Sequence, residues 1–144
     1  MSLIEKKCIE YNERRKICIA SEKSKKYELT NKSNFIVRKI KVDQCFTPMN
    51  NKKRCDFLMD VKEFKTVFFI ELKGGDLVEA IKQIHSTILY LKEEFKDYTF
   101  NARIVGSRDV LYFINTPHYL NLAKEITPKG TIKRATNFIL KENI

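Results

Sequence analysis

Residues that interrupt regular structure are scarce in this sequence: its 144 residues include only four glycines and three prolines. This scarcity excludes collagen-like and low-complexity chains, and an apolar content of 43% excludes a wholly disordered chain. Long apolar runs are also missing, whereas a membrane-spanning helix needs about 20 such residues in succession. We therefore expect one globular domain over residues 1–144 that has no membrane partner.

The four cysteines and two histidines are not spaced like the ligands of a zinc site. No two cysteines form a C-x₂₋₄-C pair, and the two histidines stand alone. The N-terminal residues lack the apolar stretch of a secretory signal, so a cytoplasmic location is expected. In that compartment we expect the cysteines to be reduced, buried thiols: Cys8, Cys18, Cys45 and Cys55.

Negative charge is in the minority. Lys and Arg number 28 against 18 Asp and Glu, which gives a formal net charge of +10. A strongly basic small protein favours a polyanionic partner, usually nucleic acid, because neutralising phosphates releases counterions. Charge alone leaves open the alternative of a lysine-rich surface that only keeps the protein soluble.

Three segments after residue 34 have the pattern of β-strands. Alternation of apolar and basic side chains predicts a strand over residues 35–42, and apolar runs predict two more over 55–61 and 66–73. The last segment is apolar on both faces up to Glu71, which is typical of a central, buried strand. The sequence therefore predicts a three-stranded meander.

The pairing of the last two strands is expected to bring acidic residues together. Residues 62–65 form a tight connection, so these strands should be antiparallel with the hairpin centred near residue 64. Asp56 then lies beside Glu71 and Lys73, since residues 56 and 72 are equidistant from that centre. Glu71 and Lys73 share a face because side chains two residues apart on a strand point the same way.

A helix is predicted directly after the buried strand. Asp76 and Glu79 form a capping box, and apolar residues then recur at three- and four-residue spacing to about residue 97. A further strand follows over residues 102–106. A strand, a helix and a strand in succession indicate a crossover connection between parallel neighbours of one sheet.

The two ends of the chain are less regular. Apolar spacing before residue 12 suggests a helix, and residues 17–20 either end that helix or begin a strand. Residues 110–114 form either a strand or a buried turn, and Thr116 caps a short helix that is predicted to reach about residue 126. Residues 131–141 are predicted to be a terminal strand or hairpin.

Asp56, fourteen intervening residues and then Glu71-Leu72-Lys73 resemble the PD-(D/E)XK signature of restriction-endonuclease-like nucleases. The predicted order of three antiparallel strands, a helix and a parallel strand is similar to that family's core, over about residues 35–106. The resemblance implies an α/β fold with a restriction-endonuclease-like core, in which helices flank a central mixed β-sheet. Cys55 stands where the signature has proline, a position that varies in the family.

The same resemblance implies a role for each residue of the motif. Asp56 and Glu71 would bind Mg²⁺ or Mn²⁺, Leu72 would contribute its backbone carbonyl, and Lys73 would assist the attacking water. Independently of any family, two neighbouring carboxylates repel each other, and a hard divalent cation removes that repulsion. The motif therefore predicts a metal site at the end of the buried strand.

Other residues are candidates to support this site. Gln83 matches a glutamine that some family members carry on the following helix, and it lies at the flank of the apolar stripe. Many members also carry an acidic residue on a first helix, which has no clear match here. Glu10, Glu13 and Glu22 are open alternatives for it, and Asp43 from the first predicted strand is another.

The sequence as a whole predicts a metal-dependent nuclease, with DNA as the expected substrate. Lys52, Lys53 and Arg54 precede Asp56 and are expected to contact the phosphate backbone, whereas the basic runs at 14–16 and 23–26 are interpreted as solvated surface charge. Two alternatives stay open: a catalytically inactive nucleic-acid-binding module, and a protein that binds an acidic protein partner. In a chain this short, substrate specificity would require loops, a homodimer or a partner protein.

Overall fold

The computed structural model of the protein describes residues 2–43, 45–46, 53–72, 76–106 and 116–144. No helix within these ranges is long and apolar enough to cross a membrane. The strands and α-helices in these ranges are β1 (Ile9–Arg14), β2 (Ile17–Glu22), β3 (Lys25–Thr30), β4 (Ile36–Lys41), β5 (Phe57–Val61), β6 (Thr66–Leu72), α1 (Leu77–Leu91), β7 (Thr99–Val105), α2 (Pro117–Ile126), β8 (Ile132–Ala135) and β9 (Ile139–Asn143).

The strands form two sheets. The larger has the order β1-β4-β5-β6-β7-β8, in which neighbours are antiparallel from β1 to β6 and parallel from β6 to β8. The smaller has the order β2-β3-β9, with β2 antiparallel and β9 parallel to β3. The predicted antiparallel meander, crossover helix and parallel strand are confirmed as β4, β5, β6, α1 and β7, so the protein is α/β with a mixed sheet.

The two faces of the larger sheet are covered by different layers. Val67 and Phe69 of β6 pack into a core with the two helices. Phe68 and Ile70 alternate with them and pack into a second core, to which β3 contributes Tyr27. Every residue of β6 is consequently buried. The expectation of helices flanking the sheet is met on one face only, because the smaller sheet covers the other.

The N-terminal segment is built from strands, and the helix expected there is wrong. A 3-10 turn over Lys6–Cys8 leads directly into β1, and residues 17–20 lie in β2. Cys18 and Ala20 are fully buried while Ile17 and Ile19 are exposed, which is the period of a strand. The strand conformation prevails because this alternation covers the second face of the larger sheet.

The C-terminal segment only partly follows the expectation. The short helix is confirmed as α2, with the Thr116 hydroxyl accepting from the Tyr119 amide at 3.2 Å. The terminal strand or hairpin is instead two strands, β8 and β9, which belong to different sheets. In the connection between them, the Phe138 amide donates to the Gly106 carbonyl at 3.1 Å. The strand or turn predicted at 110–114 lies outside the described residues.

Two of the four cysteines are oxidised, so the expectation of reduced thiols is wrong for them. Cys8 and Cys45 form a disulfide with their Cα atoms 5.9 Å apart, and it joins the segment before β1 to the segment after β4. Cys18 and Cys55 are free and buried, as expected. Burial raises the pKa of both thiols, which keeps them protonated and unreactive.

Gly130 packs against the backbone of β7, and a Cβ at this position would overlap the carbonyl oxygen of Phe100. Gly130→Ala is therefore expected to lower the free energy of unfolding by about 1–3 kcal/mol, because the strand must shift to make room. Chemical denaturation measures this. Lys129→Ala is the control at an exposed neighbour and should change stability by less than about 0.5 kcal/mol. Equal losses in the two variants would contradict the prediction.

Candidate functional site

Asp56 lies directly before β5 and is hydrogen-bonded to the strands on both sides. Its amide donates to the Ile70 carbonyl at 3.1 Å and to Glu71 Oε1 at 3.1 Å, and its carbonyl accepts from the Val42 amide at 3.0 Å. Its side chain accepts through Oδ2 from the Leu72 amide at 2.8 Å. Backbone and side chain are therefore both tied to β6, and this positions the carboxylate at the end of the sheet.

The pairing of β5 with β6 makes Asp56 and Glu71 direct cross-strand neighbours. Phe57 pairs with Ile70 and Val61 with Thr66, so the next position along places residue 56 opposite residue 71. The predicted register, with 56 opposite 72, is wrong by one residue. The connection between the strands has four residues, 62–65, so the centre of the hairpin falls between two residues and not on residue 64.

Glu71 is 2% exposed and points to the helix-covered face of β6, in phase with Val67 and Phe69. A buried carboxylate is costly unless it is hydrogen-bonded, and the Asp56 amide supplies one such bond. Leu72 points to the opposite face and packs into the second core. The expectation that Glu71 and Leu72 face opposite ways is confirmed.

A cavity of about 390 Å³ lies beside this pair of carboxylates. Its walls come from the turn between β2 and β3, the segment after β4, the start of β5, the end of β6 and the second turn of α1. The residues that line it are Glu22, Lys23, Lys25, Asp43, Asp56, Glu71, Leu72 and Gln83. Six of the residues that the sequence offered for the site or its support are therefore brought together: Glu22, Asp43, Asp56, Glu71, Leu72 and Gln83.

The surroundings of Asp56 in the cavity disfavour its ionised form. The pKa of Asp56 is raised to about 6, first by burial and then by the negative charges of Glu22 and Asp43, against the lowering effect of the hydrogen bond from the Leu72 amide. Four carboxylates line the cavity, and each one that is ionised is repelled by the negative charges of the others. A bound cation would relieve this repulsion.

Gln83 is held at the cavity by a hydrogen-bonded connection between α1 and the segment before β5. The Thr87 hydroxyl, one turn along the helix, donates to the Gln83 carbonyl at 2.8 Å and accepts from the Cys55 amide at 2.9 Å. The side-chain oxygen Oε1 of Gln83 is buried and has no hydrogen-bond partner among the described residues. This oxygen is therefore able to accept a hydrogen bond from water or to contact a cation in the cavity.

The structure separates the acidic residues that the sequence left open. Glu10 pairs with Lys39 at 2.9 Å and Glu13 with Arg15 at 3.2 Å, both away from the cavity. Glu22 lines the cavity together with Asp43. Glu22 comes from a hairpin of the smaller sheet and not from a helix, so the resemblance offered no guide to its position.

The basic residues are distributed differently from the expectation. Lys73 and Lys52 lie outside the described residues. Lys53 pairs with Glu79, and Arg54 donates to the Phe46 carbonyl at 2.9 Å, so neither lines the cavity. Lys23 of the β2–β3 turn and Lys25 at the start of β3 do line it, so the expectation that both are only solvated surface charge is wrong. A signal was present in the sequence, because Lys23 and Lys25 lie within three residues of Glu22 in a short polar stretch.

The donors around the cavity fit a hard divalent cation. Within the described ranges, no group of three or more His, Cys, Asp or Glu side chains is arranged to hold a metal ion. Mg²⁺ usually takes only one or two protein carboxylates and completes its shell with water and phosphate oxygens. The carboxylates of Asp56 and Glu71 and the unpartnered Oε1 of Gln83 are all oxygen donors, as Mg²⁺ and Mn²⁺ prefer.

No protein-family model, no curated protein and no solved structure matches this chain. The resemblance to PD-(D/E)XK nucleases therefore consists of a short motif and an order of strands and helix. What the fold adds is the placement of Asp56 and Glu71 on adjacent strands at the edge of one cavity.

Proposed function

We propose that this protein is a metal-dependent nuclease on a restriction-endonuclease-like core, which hydrolyses phosphodiester bonds with DNA as its expected substrate. One observation carries the proposal: Asp56 and Glu71 are cross-strand neighbours beside a cavity rich in oxygen donors, where the Glu71 side chain accepts from the Asp56 amide and the Asp56 side chain accepts from the Leu72 amide. The net charge of +10 supports a polyanionic substrate.

Asp56 and Glu71 are the proposed ligands of one Mg²⁺ or Mn²⁺, together with the backbone carbonyl of Leu72. Such a cation supplies Lewis-acid polarisation of the phosphoryl group and a lower pKa for the attacking water. Lys73 follows Leu72 directly in the chain, and we assign it to orienting that water and stabilising the charge that develops on the phosphate. Asp43 and Gln83, which line the same cavity, are the proposed hydrogen-bond partners of further metal-bound water.

The proposed path of the nucleic-acid backbone runs over the start of α1. Glu79, in the first turn of α1, holds Lys53 close to the helix N-terminus, where the helix dipole adds partial positive charge. Arg54 is held by the Phe46 carbonyl beside the start of β5. Lys52, Lys53 and Arg54 together are the proposed phosphate contacts outside the cavity.

The proposal is tested by incubating the protein with plasmid, linear and branched DNA and with RNA, in Mg²⁺, Mn²⁺ or EDTA. We expect cleavage of at least one DNA substrate with Mg²⁺ or Mn²⁺ and none in EDTA. The choice among substrates also separates endonucleolytic from exonucleolytic action. A folded protein that leaves all of these substrates intact in both cations would refute the proposal.

One observation favours a second candidate, a catalytically inactive nucleic-acid-binding module. It is the lack, among the described residues, of three metal-ligating side chains arranged around one point. In that case the protein binds nucleic acid at low salt equally well in Mg²⁺ and EDTA and cleaves nothing. A protein that binds an acidic protein partner would instead have no affinity for DNA or RNA at low salt.

A further inference from the structure

The turn between β2 and β3 brings two lysines to the carboxylate cavity. Glu22 and Lys25 occupy opposite positions in the β2–β3 strand pairing, and Lys23 begins the two-residue turn between them with a φ of 56°. All three residues line the same cavity as Asp56 and Glu71. The smaller sheet therefore contributes charges of both signs to a site whose carboxylate pair belongs to the larger sheet.

The base of this hairpin is anchored in the second core. Ala20 pairs with Tyr27 just before the turn, and both are fully buried. The Tyr27 ring contacts that of Phe68 on β6, with 6.3 Å between the ring centroids. The turn is therefore held at a defined position relative to the strand that carries Glu71, as a preorganised binding group requires.

Lys23 and Lys25 differ from their neighbour Lys26 in whether they form an ion pair. In the part of the chain that the structure describes, neither forms an ion pair, whereas Lys26 pairs with Glu28 at 3.5 Å. Lys25 and Lys26 are adjacent in a strand, so their side chains point to opposite faces. Within the described ranges, neither ammonium group at the cavity is therefore held in an ion pair, and both are available to a ligand.

These lysines reduce the electrostatic repulsion between the carboxylates of the cavity and an anionic substrate. A phosphodiester that approaches four carboxylates is repelled, and one divalent cation offsets only half of their combined charge. Two ammonium groups offset the other half. Lysine binds phosphate as a compact point charge on a flexible stem, which suits contact with a backbone phosphate whose neighbours along the strand vary.

We propose that Lys23 and Lys25 bind a phosphate of the nucleic-acid backbone next to the one held at the carboxylate pair. This inference deepens the proposed nuclease function and depends on it for the substrate class. The protein's net charge of +10 is much larger than the charge of these two lysines. We therefore assign the ligand as a phosphate within a polyanionic strand. The hairpin thereby determines where a strand lies across the site.

The test compares two double variants of equal charge. Lys23→Gln with Lys25→Gln removes the proposed contact, and Lys26→Gln with Lys32→Gln removes two lysines that do not line the cavity. Anisotropy of a short labelled DNA duplex is followed as the KCl concentration rises, with Ca²⁺ replacing Mg²⁺ so that binding is measured apart from cleavage. Inorganic phosphate is added as a competitor in a second series.

Each lost phosphate contact should lower the magnitude of the slope of log affinity against log salt by about 0.9. Because the two lysines are proposed to bind one phosphate, we expect a decrease of about 0.9 for the Lys23 and Lys25 variant, and roughly 10-fold weaker binding at about 0.1 M salt. The control variant should keep the slope of the parent. Inorganic phosphate should not displace the duplex at concentrations comparable to that of the protein.

The outcomes separate this inference from the proposed function. Equal slopes for the parent and the Lys23 and Lys25 variant overturn the inference, while cleavage by the parent in Mg²⁺ keeps the nuclease. Duplex binding by a parent that cleaves none of the substrates above in Mg²⁺ or Mn²⁺ refutes the nuclease, and the slopes still decide the role of the lysines. Displacement by stoichiometric inorganic phosphate overturns the assignment to a backbone phosphate, and a parent that binds no nucleic acid overturns both proposals.

Discussion

Asp56→Asn is expected to abolish nuclease activity, with a loss of about a thousandfold or more, while the protein stays folded. The amide oxygen of Asn can still accept from the Leu72 backbone, so the bond that positions the side chain is kept. The negative charge is lost, and with it the affinity for Mg²⁺ or Mn²⁺. Glu71→Gln should have the same effect, since its amide oxygen can still accept from the Asp56 amide.

The same substitution should make the metal-free protein more stable near neutral pH. Burial, with the charges of Glu22 and Asp43, raises the pKa of Asp56 to about 6 from an ordinary value of 3.8. The stability linked to its protonated form is complete below the ordinary pKa and is lost as the pH rises through about 6. Allowing for partial exposure, ionised Asp56 costs on the order of 1–2 kcal/mol, which Asn avoids.

Thermal melts in EDTA at about pH 4 and pH 7.5, metal titration calorimetry and a plasmid-nicking assay test this prediction together. The parent and Asp56→Asn should melt together at the acidic pH, and the variant should melt higher at the neutral pH. Asp97→Asn is the matched control, because it makes the same chemical change at an exposed position. It should cleave, bind metal and melt as the parent does.

Lys73→Met separates catalysis from metal binding. A charged lysine cannot ligate a cation, so this variant should lose cleavage but keep its affinity for Mg²⁺. If it cleaves as well as the parent, the resemblance fails at its most specific residue. If Asp56→Asn instead melts several degrees lower in EDTA at neutral pH, the Asp56 carboxylate is a structural group and the inactive module gains support.

Glu142→Gln is expected to lower the free energy of unfolding by about 3–5 kcal/mol, although Glu142 lies far along the chain from the residues that line the cavity. Glu142 of β9 accepts from the Arg103 side chain of β7 through both of its oxygens, and from the Tyr27 hydroxyl at 2.6 Å. Arg103 is 3% exposed. Removing the partner charge leaves a buried guanidinium uncompensated.

The pH dependence of this pair has the opposite sign to that of Asp56. Burial alone would raise the pKa of Glu142, but hydrogen bonds from Arg103 and Tyr27 and the charges of Arg103 and Lys133 lower it below its ordinary value. The stability contributed by the carboxylate is therefore present above the ordinary carboxyl pKa and is lost as the pH falls through the lowered value. The difference between parent and Glu142→Gln should shrink in acid.

Urea denaturation of three variants isolates the ion pair. Glu13→Gln removes an exposed carboxylate from a surface pair with Arg15 and should cost less than about 1 kcal/mol. Arg103→Met combined with Glu142→Leu replaces both charges by apolar groups and should recover most of the loss. A Glu142→Gln variant as stable as Glu13→Gln would show that the pair contributes no more than a surface ion pair.

The meander and the crossover helix were predictable because their residues interact with neighbours close in sequence. Apolar runs and a four-residue connection predict the β5–β6 hairpin, and with it the proximity of Asp56 and Glu71. The register was predicted only to within one residue, since the conformation of the connection determines whether the hairpin is centred on a residue or between two. The helix starts were predictable because a capping side chain bonds only three residues ahead, as Asp76 does to the Glu79 amide at 2.9 Å.

Which segments form the smaller sheet is determined by tertiary contacts. Its β9 pairs with β3 although more than 100 residues separate them, and this sheet covers the face of β6 that carries Phe68 and Ile70. Burial of apolar surface has no direction, so the pattern of β6 shows that its second face is covered but not which segment covers it. For the same reason the early apolar residues were compatible with a helix until the sheet that they cover was known.

The sequence by itself therefore determined the α/β class, the order of the central elements and the proximity of the carboxylate pair, because short connections and local periodicity encode them. Only the tertiary structure decided that Glu22, Lys23 and Lys25 reach the cavity, that Cys8 joins Cys45, and that Arg103 meets Glu142. Each of these contacts joins segments distant in the chain. Such contacts depend on which surfaces remain uncovered once the larger sheet has formed, and no local pattern records that.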